Sequence, residues 1–193
     1  MNHCSGCGTR VVQGIPAGDN RERHMCPACG LVHYQNPKLV AGVVPQWQGQ
    51  VLLCRRAIEP RRNYWTVPAG FLELGESLQQ AAVREALEEA CAQVRIGRLF
   101  AMIDVVQAGQ VHVMFSGQVI GGEFAVGEES LEVGLFNPQQ IPWRDLAFPS
   151  VRFTLERFVE DRPNYPDQTG HVHTIALGKD AGANLAGWST GGS

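Results

Sequence analysis

The alternation of apolar and polar residues predicts a series of short strands after residue 38. The segments LVAGVVPQW and QVLLCRR read as two strands joined by a turn at Gln48 and Gly49. The same pattern predicts further strands at WTVPAGF, RLFAMIDVVQ, QVHVMFSGQVI and EVGLFN. PSVRFTLERFVED instead predicts a helix, with one apolar face formed by Val151, Leu155, Phe158 and Val159. Because strands and helices are mixed, we expect an α/β fold with helices on both sides of a sheet.

A second helix is predicted from Ser77 onwards. Ser77 can cap its first turn, and Gln80, three residues later, completes a capping box. On a helical wheel, four residues fall within about 60° of Leu87 and should form the buried face: Val83, Ala90, Cys91 and Val94. We therefore expect Cys91 to be a packing residue rather than a reactive thiol.

The opposite face of this helix carries Glu85, Glu88 and Glu89. Like charges at this spacing repel by roughly 0.2–0.5 kcal/mol per pair on an exposed helix. A solvated acidic face is the ordinary interpretation. The alternative is a site for a hard divalent cation such as magnesium or manganese, which prefers oxygen ligands.

Four of the six cysteines lie near the amino terminus in a C-x2-C-x18-C-x2-C pattern, at Cys4, Cys7, Cys26 and Cys29. Each pair can close on one tetrahedral zinc ion, and four thiolates leave no open coordination position. A redox dithiol, the alternative, would need only one such pair. We expect residues 1–35 to form a small ribbon around structural zinc, since their few apolar residues cannot offset the ordering of the backbone.

The formal charge of −3, without long runs of like charge, argues against binding to nucleic acid or to an anionic membrane. The first residues lack signal-peptide features, and no apolar run approaches the roughly 20 residues needed to cross a bilayer. We therefore expect a cytoplasmic protein. Residues 166–193 end in a Gly-rich tail and should form a partly mobile extension.

A longer motif decides between the two interpretations of the acidic helix. Gly70, Glu76 and the run Arg84-Glu85-Ala86-Leu87-Glu88-Glu89 follow the spacing G-x5-E-x7-R-E-U-x-E-E-x-G-U, where U is a bulky aliphatic residue. This pattern resembles the signature of the Nudix hydrolases. It departs from the signature at Cys91, where the family usually has Gly, and at the small residues Ala86 and Ala92. We expect the missing Gly to change the helix end rather than to abolish catalysis.

The resemblance implies a Nudix α/β/α sandwich with a mixed sheet over residues 36–165, and hydrolysis of a nucleoside diphosphate linked to another group, with magnesium or manganese as cofactor. It implies metal ligands at Glu85, Glu88 and Glu89 and at the Ala69 carbonyl. Arg84 and Glu76 would orient the glutamates. In several branches of the family the general base lies on a later loop, which predicts Glu129, among its neighbours Glu128 and Glu132; a solvated turn is the alternative for each.

A substrate contact is predicted at Arg55 or Arg56, because alternation along a strand lets only one of them face the site. Trp65 is a further predicted substrate contact, and a core residue is the alternative for it. A zinc ribbon before a Nudix motif is similar to two groups. NADH pyrophosphatases carry S-Q-P-W-P-F-P-x-S after the motif, which is absent here. The other group, related to the FAD and ADP-ribose pyrophosphatases of plant plastids, resembles this chain through YQNPKLVAGVV, EESLEVGLF and IPWRDLAFPSV.

The second resemblance implies FAD or ADP-ribose as substrate, AMP as one product, and a homodimer. NADH pyrophosphatase is the alternative within the family. A nucleotide-sensing regulator that uses the ribbon for binding is the alternative from another class. The intact REALEE run and the weakly charged ribbon argue against such a regulator.

Overall fold

The computed structural model describes residues 1–161 and 171–178. The chain divides into two compact units, Met1–Pro37 and Lys38–Ser193. None of the helices in the described ranges has the length and apolar character needed to span a bilayer.

The first unit contains a three-stranded antiparallel sheet in the order β1-β2-β3, formed by β1 (Val12–Gly14), β2 (Arg23–Met25) and β3 (Val32–His33). Its four cysteines lie in two tight turns outside the strands. Gly8 and Gly30 follow the two turns with φ values of +74° and +73°, a backbone conformation that side chains with a Cβ rarely adopt. Their amides donate to the carbonyls of Cys4 and Cys26 at 3.0 and 2.9 Å, which closes both turns.

The second unit is built on a longer sheet with two α-helices in its described part. The strands are β4 (Lys38–Trp47), β5 (Gln50–Arg56), β6 (Trp65–Thr66), β7 (Ala69–Phe71), β8 (Val94–Val105), β9 (Gln110–Val119), β10 (Ser130–Phe136) and β11 (His173–Leu177). The helices are α1 (Leu78–Ala90) and α2 (Pro149–Asp161). Short 3₁₀ turns occupy Val106–Ala108, Pro138–Gln140 and Trp143–Asp145.

The sheet is mixed, as predicted. The eight strands in the described part of this unit follow the order β10-β5-β4-β9-β8-β11, with β6 paired to β5 and β7 paired to β4. The β4–β9 and β8–β11 pairs are parallel, and the other pairs are antiparallel. β4 therefore lies at the centre, beside both β9 and the short strand that leads into α1.

The two helices pack on opposite sides of this sheet. Neighbouring residues of one strand, such as Val43 and Val44, belong to different core clusters because successive side chains point to opposite faces. The α2 cluster includes Phe100, Ile103, Val151 and Leu155. On the other side, the α1 cluster is formed with Ala82, Ala86 and Ala90. The predicted sandwich is confirmed.

The prediction for the buried face of α1 is wrong at three positions. Val83 and Leu87 are 37% and 52% exposed, and Cys91 is also exposed. The face turned inward is instead formed by Ala81, Ala82, Glu85, Ala86, Glu89 and Ala90. The wheel places the bulkiest apolar residues inward, whereas a helix lying close against a sheet needs small side chains. The glutamates consequently do not share an outer face.

Several strand boundaries also differ from the sequence prediction. WTVPAGF forms two short strands rather than one, because Pro68 has no N–H for a continuous ladder and its carbonyl accepts from Val43 at 3.1 Å. β8 begins at Val94, earlier than predicted. Of the expected extension 166–193, residues 166–170 and 179–193 lie outside the described residues, while His173–Leu177 forms β11.

Candidate active site

The beginning of α1 is fixed by the predicted capping box. Ser77 has extended backbone angles, its hydroxyl accepts from the Gln80 amide at 3.2 Å, and the Ser77 amide donates to the Gln80 side chain at 2.8 Å. The amides of Ser77 and Gln80 are thereby satisfied. Because this start is fixed, so is the direction in which Arg84 and the glutamates leave the helix.

Arg84 connects the loop before α1 with the acidic residues on it. Its guanidinium donates to both carboxylate oxygens of Glu76, at 2.7 and 3.1 Å, and to Glu85 and Glu88 at 2.7 and 3.0 Å. A further bond reaches the Phe71 carbonyl at 3.1 Å. These bonds raise the pKa of Arg84, chiefly through Glu76, and lower the pKa of the Glu76 carboxyl. The planar fork suits this role because it serves several acceptors at once.

Within residues 1–161 and 171–178, Glu85 and Glu89 are the two buried carboxylates, at 8% and 5% exposure. Gly70 makes room for Glu85: a Cβ at Gly70 would lie 2.1 Å from Glu85 Oε1. In Glu89, Oε2 is buried and has no hydrogen-bond partner in the described part of the chain. Burial, followed by the charge of Glu85, raises the pKa of Glu89 to about 8, and the Ala69 backbone amide acts in the opposite direction.

Leaving a carboxylate oxygen buried and unpaired is energetically unfavourable, so an oxygen-seeking partner fits this position. A divalent cation fits it well, because Glu85 and Glu89 supply the hard oxygen donors that magnesium and manganese prefer. The three glutamates do not, however, converge closely. Of the residues described, only the four cysteines bring three or more ligand atoms within 4.8 Å of one another. Glu88 turns outward toward Arg84, with 55% of its side chain exposed.

Glu85 and Glu89 line a cavity of about 1070 Å³. Glu88, Glu128 and Glu129 line it as well, and the charge of Glu129 raises the pKa of both Glu85 and Glu89. The lining also includes the apolar side chains of Val40, Phe71, Val105, Met114, Phe148, Val151 and Leu177. A ligand with a charged part and an apolar part would match this lining.

The four cysteine sulfurs of the first unit form a separate cluster. Their Sγ atoms are separated by 3.7 Å (Cys4–Cys29), 3.4 Å (Cys7–Cys26) and 3.7 Å (Cys7–Cys29). Tetrahedral Zn–S bonds of about 2.3 Å place sulfurs about 3.8 Å apart. The Gly6 amide points at Cys4 Sγ from 3.3 Å. The cluster therefore has the dimensions of a structural zinc site.

Comparison with protein families agrees with both sites. Residues 36–158 match the family model described as NUDIX domain, and residues 2–35 match a zinc-ribbon model described as Nudix N-terminal. The chain belongs to the Nudix hydrolase family.

This Nudix hydrolase matches its relatives over different fractions of their length. A NUDIX hydrolase structure from Nitrosomonas europaea is 45% identical, with a TM-score of 0.86 over 91% of this chain and 99% of that one. An ADP-ribose pyrophosphatase from Methanocaldococcus jannaschii is 26% identical over 66% of this chain and 74% of its own length. An NAD-capped RNA hydrolase NudC from Pseudomonas aeruginosa is 29% identical over 67% of this chain. The chain spans about half of that protein's length, 45%.

The Nudix cavity includes some of the predicted substrate contacts and not others. Arg56 lines it, stacks over Phe148 at 5.2 Å, and its charge lowers the pKa of Glu89. Arg55 instead forms an ion pair with Glu132 at 2.9 Å on the neighbouring strand β10. Trp65 packs edge-on against the Phe136 ring at 4.8 Å and is not among the described residues that line the cavity.

Two residues of the cavity wall were missed by the sequence reasoning. Gln110 and His112 alternate with Val111 and Val113 along β9, and their side chains hydrogen-bond each other at 2.9 Å. Burial lowers the pKa of His112 to about 4, which keeps the ring neutral at pH 7. Two polar residues on one face of a strand next to apolar ones were the available signal.

Proposed function

We propose that this Nudix hydrolase cleaves the pyrophosphate bond of an ADP-containing substrate, FAD or ADP-ribose, to AMP and a second monophosphate. The observation that carries the proposal is the buried carboxylate oxygen of Glu89, which has no hydrogen-bond partner among the described residues and belongs, with Glu85, to a cavity that also has apolar lining residues. The carboxylates suit a cation-bound diphosphate, and the apolar side chains suit a planar ring. The ADP-ribose pyrophosphatase among the relatives supports the substrate class.

Magnesium or manganese would be held by Glu85, Glu89 and the Ala69 carbonyl, with Glu88 beside them. When bound, such a cation neutralises the diphosphate charge and acidifies a coordinated water. Arg84 holds Glu85 and Glu88 in place, and Glu76 holds Arg84. Arg56 would pair with a phosphate oxygen; in support, it lines the cavity, and its charge lowers the pKa of Glu89.

Hydrolysis requires a group that accepts a proton from the attacking water. Water oxygen forms a bond to one phosphorus, the bridging P–O bond breaks, and the second phosphate leaves. Glu129 is our candidate for the proton acceptor, because it lines the cavity and its charge acts on both buried glutamates. Glu132 is less suited, since it is paired with Arg55. Positioning and electrostatic stabilisation would supply the catalysis.

The four thiols would hold structural zinc, which their spacing fits. This would stabilise the ribbon, whose strands comprise only two or three residues each. The homodimer stays a prediction, testable by sedimentation.

The test is to incubate the purified protein with FAD, ADP-ribose, NADH and a nucleoside triphosphate, with and without magnesium, and to resolve the products by chromatography. We expect magnesium-dependent release of AMP from FAD or ADP-ribose. Preference for NADH would favour the alternative supported by the NudC relative. Equal turnover of all four compounds would contradict the proposed selectivity. Salt-dependent DNA binding without hydrolysis would favour a regulator.

A further inference from the structure

The loop that carries Glu128 and Glu129 is attached to the end of α1 by its main chain. The Ala125 amide donates to the Ala90 carbonyl at 2.8 Å, and the Gly127 amide donates to the Glu89 carbonyl at 3.1 Å. The last carbonyls of a helix lack hydrogen-bond donors within it. Here the loop supplies donors for the carbonyls of Glu89 and Ala90. Glu89 thus contacts the loop through its main-chain carbonyl, while its carboxylate lines the cavity.

Gly127 lies close against the end of the helix. A Cβ built at Gly127 would lie 1.8 Å from the Glu88 carbonyl oxygen and 2.7 Å from the Glu89 carbonyl carbon. Gly127 does not have a positive φ, so its backbone conformation is open to any residue. The contact with the helix, rather than the backbone angle, requires glycine here.

A second anchor holds the loop just beyond the two glutamates. The Ala57 amide donates to the Glu129 carbonyl at 2.8 Å, and the Ser130 amide donates to the Gly127 carbonyl at 3.1 Å. The backbone that carries Glu128 and Glu129 is therefore fixed on both sides, to α1 at one end and to the segment after β5 at the other.

We infer that Gly127 is a positioning residue: its contact with the end of α1 sets the distance between Glu129 and the carboxylates of Glu85 and Glu89. This rests on the proposed function, in which Glu129 accepts the proton from water. Gly127 acts through Glu129 and does not itself touch the substrate. Its contribution should therefore disappear when the Glu129 carboxylate is removed.

Gly127→Ala is the direct perturbation. To bring the new Cβ from 1.8 Å to an ordinary C···O separation of about 3.3 Å, the loop must move by about 1.5 Å. A misplacement of about 1 Å can reduce turnover by about 10²-fold. We therefore expect kcat to fall by about 10²-fold and KM to stay within about threefold of wild type. Both are measured from AMP release with the substrate that the wild type prefers.

A double-mutant cycle separates positioning from general damage. Removing a general base lowers turnover by about 10²–10⁴-fold, so Glu129→Gln should fall in that range. The Gly127→Ala, Glu129→Gln double variant should have the kcat of Glu129→Gln alone, within about threefold. Losses that multiply would overturn the inference. A kcat equal to that of wild type in either single variant would also overturn the inference. In each of these cases, AMP release by the wild type would still uphold the proposed function.

Two glycines serve as matched controls outside the cavity lining. At Gly14 a Cβ would meet only Met25 Sδ at 3.5 Å, so Gly14→Ala should change neither stability nor kcat. At Gly117 a Cβ would lie 2.6 Å from Val43 Cγ2, inside the sheet core. Gly117→Ala should lower the melting temperature while the folded fraction keeps wild-type kcat. A comparable loss of kcat in Gly117→Ala would overturn the inference.

Manganese affinity, measured by calorimetry, shows which side of the contact moves. It should stay within about threefold of wild type in Gly127→Ala, because Glu85 and Glu89 remain in place. A loss above tenfold would show that the helix end had moved, and would contradict positioning through Glu129. If Gly127→Ala does not fold, Ala125→Pro removes the neighbouring bond to Ala90 without a Cβ at Gly127, and the same cycle applies.

Discussion

Replacing Cys91 with glycine should stabilise the protein. Cys91 follows α1 and has φ 48° and ψ 25°, the left-handed conformation in which helices commonly end. Its amide closes the last turn by donating to Leu87 at 2.9 Å. The Nudix signature has glycine here. The backbone of this helix end therefore keeps the conformation that suits glycine, although the residue is cysteine.

The magnitude follows from two opposing effects. A residue with a Cβ costs roughly 1–2 kcal/mol in the left-handed region. Glycine makes the unfolded chain more flexible, which offsets about 0.4–1 kcal/mol of that gain. The thiol adds little, because Sγ is exposed and lies 3.9 Å from the Val126 carbonyl. We expect a net gain of about 0.5–1 kcal/mol, or about 1–4 °C in melting temperature for a chain of this size.

The assay is urea unfolding and calorimetry of Cys91→Gly beside Cys91→Ala, in the presence of zinc. The alanine variant loses the same thiol and keeps the Cβ, so the difference between the two variants reports the left-handed penalty minus the flexibility that glycine adds to the unfolded chain. AMP release should be unchanged in both. Equal stabilities of the glycine and alanine variants would refute the reasoning, because they would show that the left-handed penalty is no larger than that offset.

Three further predictions concern the two proposed metal sites and the cavity wall. Glu89→Gln should lower kcat by about 10²–10³-fold, the equivalent of several kcal/mol, whereas Glu132→Gln, which alters only the pair with Arg55, should retain activity; similar losses in both would contradict the site. Cys26→Ser should reduce bound zinc, measured by atomic absorption, and expose the ribbon to proteolysis. Because burial lowers the pKa of His112 to about 4, its contribution to stability is complete above about pH 6.5, the usual His pKa, and is lost as the pH falls through 4; His112→Asn should flatten that fall in urea unfolding.

Local patterns predicted the features that depend on near neighbours in the chain. The capping box at Ser77 and Gln80 is a matter of three residues, and it forms as expected. The spacing of the cysteine pairs likewise restricts how their turns can close, and the four sulfurs lie together. The strand pattern predicted these strands because β4, β5 and β9 alternate or run apolar over whole strands. The mixed order of the sheet was implied by the resemblance to Nudix hydrolases, not by the pattern.

Features that depend on partners distant in sequence could not be predicted from the chain alone. Strand alternation showed that one of Arg55 and Arg56 faces the site, but the register with β10, which places Glu132 opposite Arg55, decides which one. The buried face of α1 depends on how closely the sheet approaches. The attachment of Gly127 to Glu89 joins segments that no local pattern connects.

The size of the side chains on the inner face of α1 sets the distance between the helix and the sheet. Ala82, Ala86 and Ala90 are fully buried, so a larger side chain at any of them would push the helix away from the sheet and shift Glu85 and Glu89 relative to the cavity. Substitutions on the outer face, at Val83 or Leu87, leave that distance unchanged. In a library of variants, this helix should therefore tolerate many residues on its outer face. On its inner face, larger residues should abolish activity before they unfold the protein.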